Sequence, residues 1–184
     1  MTDNELVQAC IQNDSIAQKQ LFEQYASMLL GVCFRYAHNQ EEAEEILQLG
    51  FIKIFKNIKK FRFESALKTW MIRIIINTAL NYVKANEKVK WESDIDVLLD
   101  NNSFSVEQLH QIDLHTLMKC IQELPTGYRL VLNLFAIEGY SHKEIAEELN
   151  INESTSRSQF SRAKILLQQK LQELGFEIKN YAKR

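Results

Sequence analysis

Helix breakers are almost absent from this chain, which limits the folds that it can adopt. Its 184 residues include one proline, Pro125, and five glycines. Between these breaks, apolar residues recur every three or four positions, as in Leu21, Tyr25, Leu29 and Val32, and no stretch alternates with the period of a strand. Because 46% of the residues are hydrophobic, such helices can bury cores of their own. The sequence therefore predicts an all-α fold.

The helical period predicts two groups of four helices. We expect the helices at 3–12, 15–37, 40–58 and 66–85 in the first group, and at 107–123, 127–138, 141–149 and 153–174 in the second. Between the groups the period is lost and Asn, Asp and Ser accumulate, as is typical of a linker. We therefore assign 1–88 and 109–184 to two small helical domains and 89–108 to an acidic linker.

Charged residues are segregated along the chain, although its formal net charge is only −2. Residues 1–50 carry 2 basic and 8 acidic side chains, whereas residues 53–90 carry 10 basic and 2 acidic ones. Residues 91–113 then carry 6 acidic side chains and no basic one, and residues 114–184 carry 10 basic and 8 acidic ones. A uniformly solvated surface would mix the two signs, so this pattern indicates several different partners.

The sequence predicts neither an enzyme nor a metal or cofactor site. It holds no convergent acid–base, nucleophile or metal-binding set, so we also expect no small-molecule substrate. The three cysteines are widely spaced without a CxxC pair, which favours buried or incidental thiols. The four histidines lack ligand spacing, which favours surface positions. The N-terminal MTDNELVQAC is polar and no apolar run could span a bilayer, so we expect a cytoplasmic protein without membrane insertion.

The segment 140–164, YSHKEIAEELNINESTSRSQFSRAK, has the pattern of a helix-turn-helix. Asn150 can adopt the left-handed conformation that a corner needs, and Asn152 can cap the next helix. Ser156 stands where an apolar residue would be expected to hold the second helix in place. A helical hairpin with a polar outer face remains the alternative.

The second helix of this segment carries side chains that suit base edges and phosphates. We expect it to pack inward through Phe160, Ala163 and Leu167. Most of the predicted DNA contacts lie on the opposite face; they are Ser154, Arg157, Ser158, Ser161 and Arg162. Lys164, later in the helix, is the remaining predicted contact.

A second motif narrows the class of protein. The segment AEEILQLGFIKIFKNIKKFRFESALKTWMIRIIINTALNYVK (43–84) resembles region 2 of the bacterial sigma-70 family, in its extracytoplasmic-function (ECF) group, and 124–164 resembles region 4. The region 2 matches are Ala43, Glu44, Gln48, Phe51, Trp70, Arg73, Ile74 and Asn77. The chain departs from the family pattern at four positions. It has Glu45 where the family usually has Asp, Leu49 in place of Glu, Ser156 in place of Val, and Gln159 in place of Arg.

The resemblance implies a sigma factor that binds core RNA polymerase and directs promoter-specific initiation. Glu45, Gln48 and Phe51 would meet the clamp helices of the β′ subunit, region 4 would meet the β flap, and the acidic linker would run toward the RNA-exit channel. The second helix of 140–164 would read the minus-35 element of promoter DNA. The minus-10 element would be bound by Phe61, Arg62, Phe63, Glu64, Trp70, Arg73 and Asn77.

The resemblance further implies a separate anti-sigma factor as a partner.

Two alternatives stay open from the residues themselves. Trp70, Phe61 and Phe63 also suit a structural role in the core, and a helix-turn-helix also suits a transcriptional regulator that acts on pre-formed holoenzyme.

Overall fold

In the computed structural model, the first three helices begin at side chains that cap their free N–H groups. Thr2 forms a capping box with Glu5 at the start of α1 (Asp3–Ile11). Asp14 accepts hydrogen bonds from the first turn of α2 (Ser15–Phe34), at 2.8 Å from the Ile16 nitrogen. Asn39 does the same for α3 (Gln40–Asn57). These local contacts explain why the observed starts agree with the predicted ones.

The structure describes residues 1–86, 89, 91, 102–103, 112–176 and 181–182. The chain divides into two units, Met1–Glu87 and Lys88–Arg184. In the first unit a single 3₁₀ turn (Ile58–Lys60) and α4 (Leu67–Asn86) follow α3. Helices α2, α3 and α4 pack against one another, and α1 packs on α2. The buried core of this bundle includes Leu21, Leu29, Ile46, Ile54, Met71, Ile75 and Leu80.

Helices α3 and α4 approach each other closely at Gly50. A Cβ atom at position 50 would overlap Cδ1 of Ile75, which is fully buried and has little room to move. Gly31 on α2, by contrast, is exposed and has nothing within 4 Å of the place that its Cβ would take. The two helical glycines therefore form a matched pair for testing the packing of α3 on α4.

We expect Gly50→Ala to destabilise the first unit and Gly31→Ala to stabilise it. Alanine is favoured over glycine within a helix by about 0.5–1 kcal/mol, and Gly31→Ala should gain that amount. At position 50 the same gain is outweighed by an overpacking cost of about 1–3 kcal/mol. Urea denaturation of the two variants measures the difference, and equal shifts in the same direction would show that α3 and α4 are not tightly packed there.

The second unit is built around its last helix. The helices α5 (Leu114–Gln122), α6 (Thr126–Leu132) and α7 (His142–Leu149) all pack on α8 (Glu153–Glu173). Two short strands, β1 (Asn102–Ser103) and β2 (Tyr181–Ala182), pair antiparallel. The buried core around α8 includes Cys120, Ile121, Leu124, Tyr128, Leu132, Ala163, Leu167 and Leu171.

The all-α prediction is confirmed, with two differences. The helix predicted at 127–138 is α6 followed by a π-helical turn, Asn133–Ile137, closed by the bond from the Glu138 nitrogen to the Asn133 oxygen at 3.0 Å. The two short strands were not predicted. The first residues of the helix predicted at 107–123, and most of the predicted linker at 89–108, lie outside the described residues.

The cysteines are buried, as their spacing predicted. Burial raises the pKa of the Cys33 thiol to about 12, so this side chain stays protonated and packs as an apolar group. Among the described residues, no helix combines the length and the apolar composition needed to cross a membrane.

Candidate polymerase-binding and DNA-binding surfaces

The outer face of α3 carries two of the three residues predicted to bind polymerase. Glu45 and Gln48 are exposed there, one turn apart, and the exposed side chains of Leu49 and Ile52 continue the face toward the end of the helix. The Tyr82 hydroxyl of α4 donates a hydrogen bond to Glu45 Oε2 at 2.8 Å, which fixes the direction of that carboxylate. The face therefore combines an oriented negative charge, an amide and two aliphatic groups.

The third predicted residue, Phe51, lies inside the bundle. It is only 4% exposed, and its ring packs against Phe22 of α2 at 4.7 Å and against Phe55 at 5.9 Å between ring centroids. The prediction that Phe51 itself meets polymerase is corrected, because contact with α2 turns its side chain inward. Its place is to support the exposed face of α3 from beneath.

Three aromatic rings of the loop 61–66 and of α4 form a stack that leads from the core to the surface. Phe61 is 7% exposed, so for this residue the structural alternative is correct. Its ring contacts Trp70 at 5.2 Å on one side and Phe63 at 4.7 Å on the other. Trp70 is half-buried, whereas Phe63 is 45% exposed. Phe63 is therefore the ring of this stack that an incoming base could reach most directly.

The backbone of Phe63 is held in an unfavourable conformation. Its φ angle is +58°, in the left-handed region that bulky side chains rarely adopt. Such residues cost about 1–3 kcal/mol and cluster at functional sites, where the surrounding structure maintains them. Here the conformation presents a large apolar ring to solvent instead of burying it.

The outer face of α4 lies beside this loop and is polar. Arg73 and Asn77 are exposed at i+3 and i+7 from Trp70, so the three side chains share one face of the helix. Because Asn77 is exposed, its amide is available to an external hydrogen-bonding partner. Arg62 and Glu64 are exposed on the loop, and the adjoining basic residues Lys56, Lys59 and Lys60 are exposed as well.

Helices α7 and α8 form the predicted helix-turn-helix. Ser141 and Glu144 make a capping box at the start of α7. Asn150 ends α7 in the left-handed conformation, with φ of +54° and ψ of +51°, as predicted. Asn152 occupies the cap position of α8, but its side chain forms no capping hydrogen bond, so that part of the prediction is wrong. The extended backbone of Asn152 is enough to begin the helix.

The buried face of α8 is more polar than predicted. Ser156 and Gln159 are fully buried, whereas Phe160 is only partly buried. His142 at the start of α7 explains the position of the serine, because its Nδ1 atom lies 2.9 Å from Ser156 Oγ. The hydrogen bond satisfies the buried hydroxyl and joins the two helices where an apolar contact was expected.

An aromatic cluster surrounds this hydrogen bond. The π-helical turn places Phe135 flat against the His142 ring, at 4.3 Å and 15°, and Phe160 packs against Phe135 at 4.5 Å. His142 was predicted to be a surface residue, and its ring is in fact half-buried in this cluster. Burial lowers the pKa of His142 below its ordinary value, Arg157 lowers it further, and Glu153 opposes the shift.

We expect the second unit to lose stability as the pH falls from 7.5 to 5.5. Because the folded pKa of His142 lies below the unfolded value of about 6.5, the stabilisation is fully present above that value and is lost as pH falls through the folded pKa. The lowered pKa values of Asp113, Glu123 and Glu144 place their titration below this window.

An NMR titration of the His142 ring measures this pKa directly, and His142→Asn should flatten the thermal stability between the two pH values. A His142 midpoint at or above 6.5 would contradict the burial of its ring against Phe135.

The outer face of α8 begins with exposed side chains. Ser154 and Arg157 are exposed, and Arg157 Nη2 forms an ion pair with Glu153 Oε1. The remaining predicted DNA contacts are partly buried; they are Ser158, Ser161, Arg162 and Lys164. Lys164 lies over the Phe160 ring, with Nζ 5.2 Å from its centroid.

Gln159 is directed into the second unit and away from this face. Its Oε1 atom lies 3.1 Å from the place that a Cβ of Gly127 would take, and the ring of Trp91 packs on the same glycine. Trp91, which was assigned to the linker, thus packs on α6. Gln159 therefore does not reach the outer face of α8.

Sequence reasoning missed three residues that shape these surfaces. Tyr82 and His142 act through partners 37 and 14 residues away, which no local pattern reveals. Glu153, in contrast, pairs with Arg157 at the i,i+4 spacing that a sequence does display.

The two units together define a class of protein: a helical bundle with an exposed aromatic and basic surface, followed by a helix-turn-helix. Residues 21–89 match Sigma-70 region 2, and residues 114–167 match Sigma-70, region 4. The chain is 31% identical to the ECF RNA polymerase sigma-E factor of Haemophilus influenzae, over 95% of this chain and 97% of that protein. It is 32% identical to the RNA polymerase sigma-H factor of Pseudomonas aeruginosa, over 94% and 95%.

Among solved structures, the chain is similar to CnrH in complex with the cytosolic domain of CnrY. The TM-score is 0.49 at 18% identity, over 93% of this chain and 97% of that chain. On the sequence matches, the chain belongs to the sigma-70 family, in its ECF group.

Family membership settles the class of activity. Sigma factors are subunits that give core RNA polymerase its promoter specificity, and they are not enzymes. The predictions of a sigma factor with core polymerase and promoter DNA as partners are confirmed, and a regulator acting on pre-formed holoenzyme is not favoured.

Proposed function

We propose that this ECF sigma factor acts in the cytoplasm, binds core polymerase through the outer face of α3, and opens promoters through the surface formed by the loop 61–66 and α4. The observation that carries the proposal is the exposed Phe63 ring, which is joined through Phe61 to Trp70 on the α4 face that also carries the exposed Arg73 and Asn77. A regulator that acts on pre-formed holoenzyme needs a helix-turn-helix, but it has no use for a base-stacking surface on a separate unit.

In the minus-10 element, we assign base stacking to Phe63 and hydrogen bonding to the Asn77 amide. An exposed aromatic side chain stacks on unpaired bases with little regard to sequence. The exposed Arg62 and Arg73 would hold the backbone, the half-buried Trp70 would contact the flanking base, and Glu64 would face the captured base. Phe61, being buried, would support Phe63 from below.

In the minus-35 element, we assign base reading to the first turns of α8. A helix-turn-helix places the beginning of its second helix in the major groove. Arg157 is the exposed side chain that can bond a guanine through two N–H groups, and Ser154 and Ser158 flank it. Ser161, Arg162 and Lys164 come later in the helix and would hold phosphates.

The proposal includes two further protein contacts. The second unit would bind the β flap, and a separate anti-sigma factor would cover the polymerase-binding faces of both units. The exposed Leu49 and Ile52 support the contact with an anti-sigma factor, because neighbouring apolar side chains on a surface favour burial by a partner.

Run-off transcription with purified core polymerase tests the proposed function. We expect the full-length chain to direct initiation from a defined start site when it is added to core enzyme alone. Core enzyme without the chain is the control. Specific transcripts that arise only when a different sigma factor is also present would show that the chain is a regulator.

A further inference from the structure

The first turn of α8 contains an ion pair whose two members are both exposed. The side chain of Glu153 is 46% exposed and that of Arg157 is 63% exposed, and the carboxylate accepts a hydrogen bond from Arg157 Nη2. Exposed pairs of this kind contribute little to stability because each charge is also well solvated. The main effect of the pair is therefore to fix the conformation of the Arg157 side chain.

We propose that Glu153 is a positioning residue for DNA reading, which directs the Arg157 guanidinium toward base edges and away from phosphates. This inference rests on the proposed function of α8 and adds a residue to it. It follows from the geometry of the pair, from the chemistry of the guanidinium group and from the negative charge of Glu153.

The guanidinium group can serve both partners at once. It has five N–H donors in a rigid plane, and a guanine uses two of them through its O6 and N7 atoms. The bond from Nη2 to Glu153 leaves other donors free for the base. Holding a long side chain in one orientation before binding also reduces the conformational entropy lost when the contact forms.

The charge of Glu153 also acts against the wrong contact. A phosphate oxygen that approached Arg157 would come close to the carboxylate and be repelled by it. A guanine edge carries no net charge, so the partial negative charges of its O6 and N7 atoms are repelled less than a phosphate is. Glu153 should therefore raise specificity by weakening non-specific binding.

The backbone beneath the pair is fixed from the other helix. Ser156 lies between Glu153 and Arg157 in sequence, is fully buried, and is hydrogen-bonded to His142 of α7. The turn that carries both charged groups is thus anchored, so a change in the Glu153 side chain should act on Arg157 without moving the helix.

Binding-site selection with holoenzyme assembled from the full-length chain tests the proposal. The library is randomised at the upstream element, and the proteins compared are wild type, Glu153→Gln, Glu153→Asp, Arg157→Ala and the double variant Glu153→Gln/Arg157→Ala. Glu147→Gln on α7 is the matched control, because it removes one exposed carboxylate from the same helix-turn-helix. Helicity and melting temperature verify the fold of each variant.

We expect Glu153→Gln to reduce discrimination by about 3- to 10-fold at the base pair where Arg157→Ala abolishes it. Discrimination in the double variant should equal that of Arg157→Ala. Glu153→Gln should also bind non-specific DNA more tightly than Glu147→Gln does. Glu153→Asp keeps the charge but shortens the reach to Arg157, and it should lose discrimination as Glu153→Gln does.

Three results would overturn the proposal: wild-type discrimination in Glu153→Gln, a loss at a different base pair, or losses that add to those of Arg157→Ala. If Arg157→Ala alone leaves every preference unchanged, the proposed base-reading role of Arg157 is wrong and the positioning role fails with it. Loss of all specific transcription by wild-type protein would instead contradict the proposed function itself.

Discussion

Replacing Phe63 with alanine should slow promoter opening by about 5- to 150-fold, because stacking of a base on an aromatic side chain contributes about 1–3 kcal/mol. The ring is 45% exposed, at the end of the aromatic stack formed with Phe61 and Trp70. Its backbone holds the unfavourable left-handed conformation, and the ring is exposed in the absence of DNA. Affinity for core polymerase should stay unchanged.

The time course of permanganate reactivity in the minus-10 region, at saturating polymerase, measures the opening rate. Ile16→Ala is the control, since it removes an apolar side chain that is 77% exposed from α2 of the same unit. Phe63→Trp should retain most of the opening rate, whereas Phe63→Gly should behave as Phe63→Ala does. Wild-type opening by Phe63→Ala would mean that this ring only covers Phe61.

The helices could be predicted from the sequence because their signals are local. Asp14 caps α2 through N–H groups two and three residues away, and Asn150 ends α7 through its own backbone conformation. Such contacts depend on the neighbouring sequence alone. Gln48 and Asn77, in contrast, were identified through the resemblance to region 2, and both are exposed.

The errors concern side chains whose direction depends on distant parts of the chain. Phe51 is turned inward by Phe22, which lies on a different helix. Ser156 is buried by a hydrogen bond to His142, and the ring of His142 is fixed by Phe135 on the π-helical turn. These contacts between distant residues cannot be inferred from the sequence alone. The buried face of α8 was therefore expected to be apolar, although it contains Ser156 and Gln159.

The α3 face illustrates both cases. Glu45 and Gln48 were identified from a local pattern, yet the hydrogen bond from Tyr82 that directs the Glu45 carboxylate comes from α4. The departure at Leu49 also gains a physical meaning, because this residue is exposed together with Ile52. A carboxylate of the usual family pattern is thus replaced by an exposed apolar side chain.

Changing Gln48 to lysine should weaken binding of core polymerase by roughly 30-fold or more, since an unmatched charge within an interface costs several kcal/mol. Gln48 lies at the centre of the proposed face, between Glu45 and Ile52. A lysine there would also attract Glu44, four residues earlier on the helix, and so neutralise part of the acidic surface. The fold should be unaffected, because the side chain is exposed.

Pull-down of core polymerase by the tagged variant measures the loss, and Gln24→Lys provides the control. Gln24 is exposed on α2 of the same unit, so both variants change the net charge equally. The melting temperatures of the two proteins should agree with that of the wild type. Because both variants carry the same change in charge, a loss of polymerase binding in Gln48→Lys alone would place polymerase on the outer face of α3. Equal affinities of the two variants for core polymerase would exclude this face from the interface.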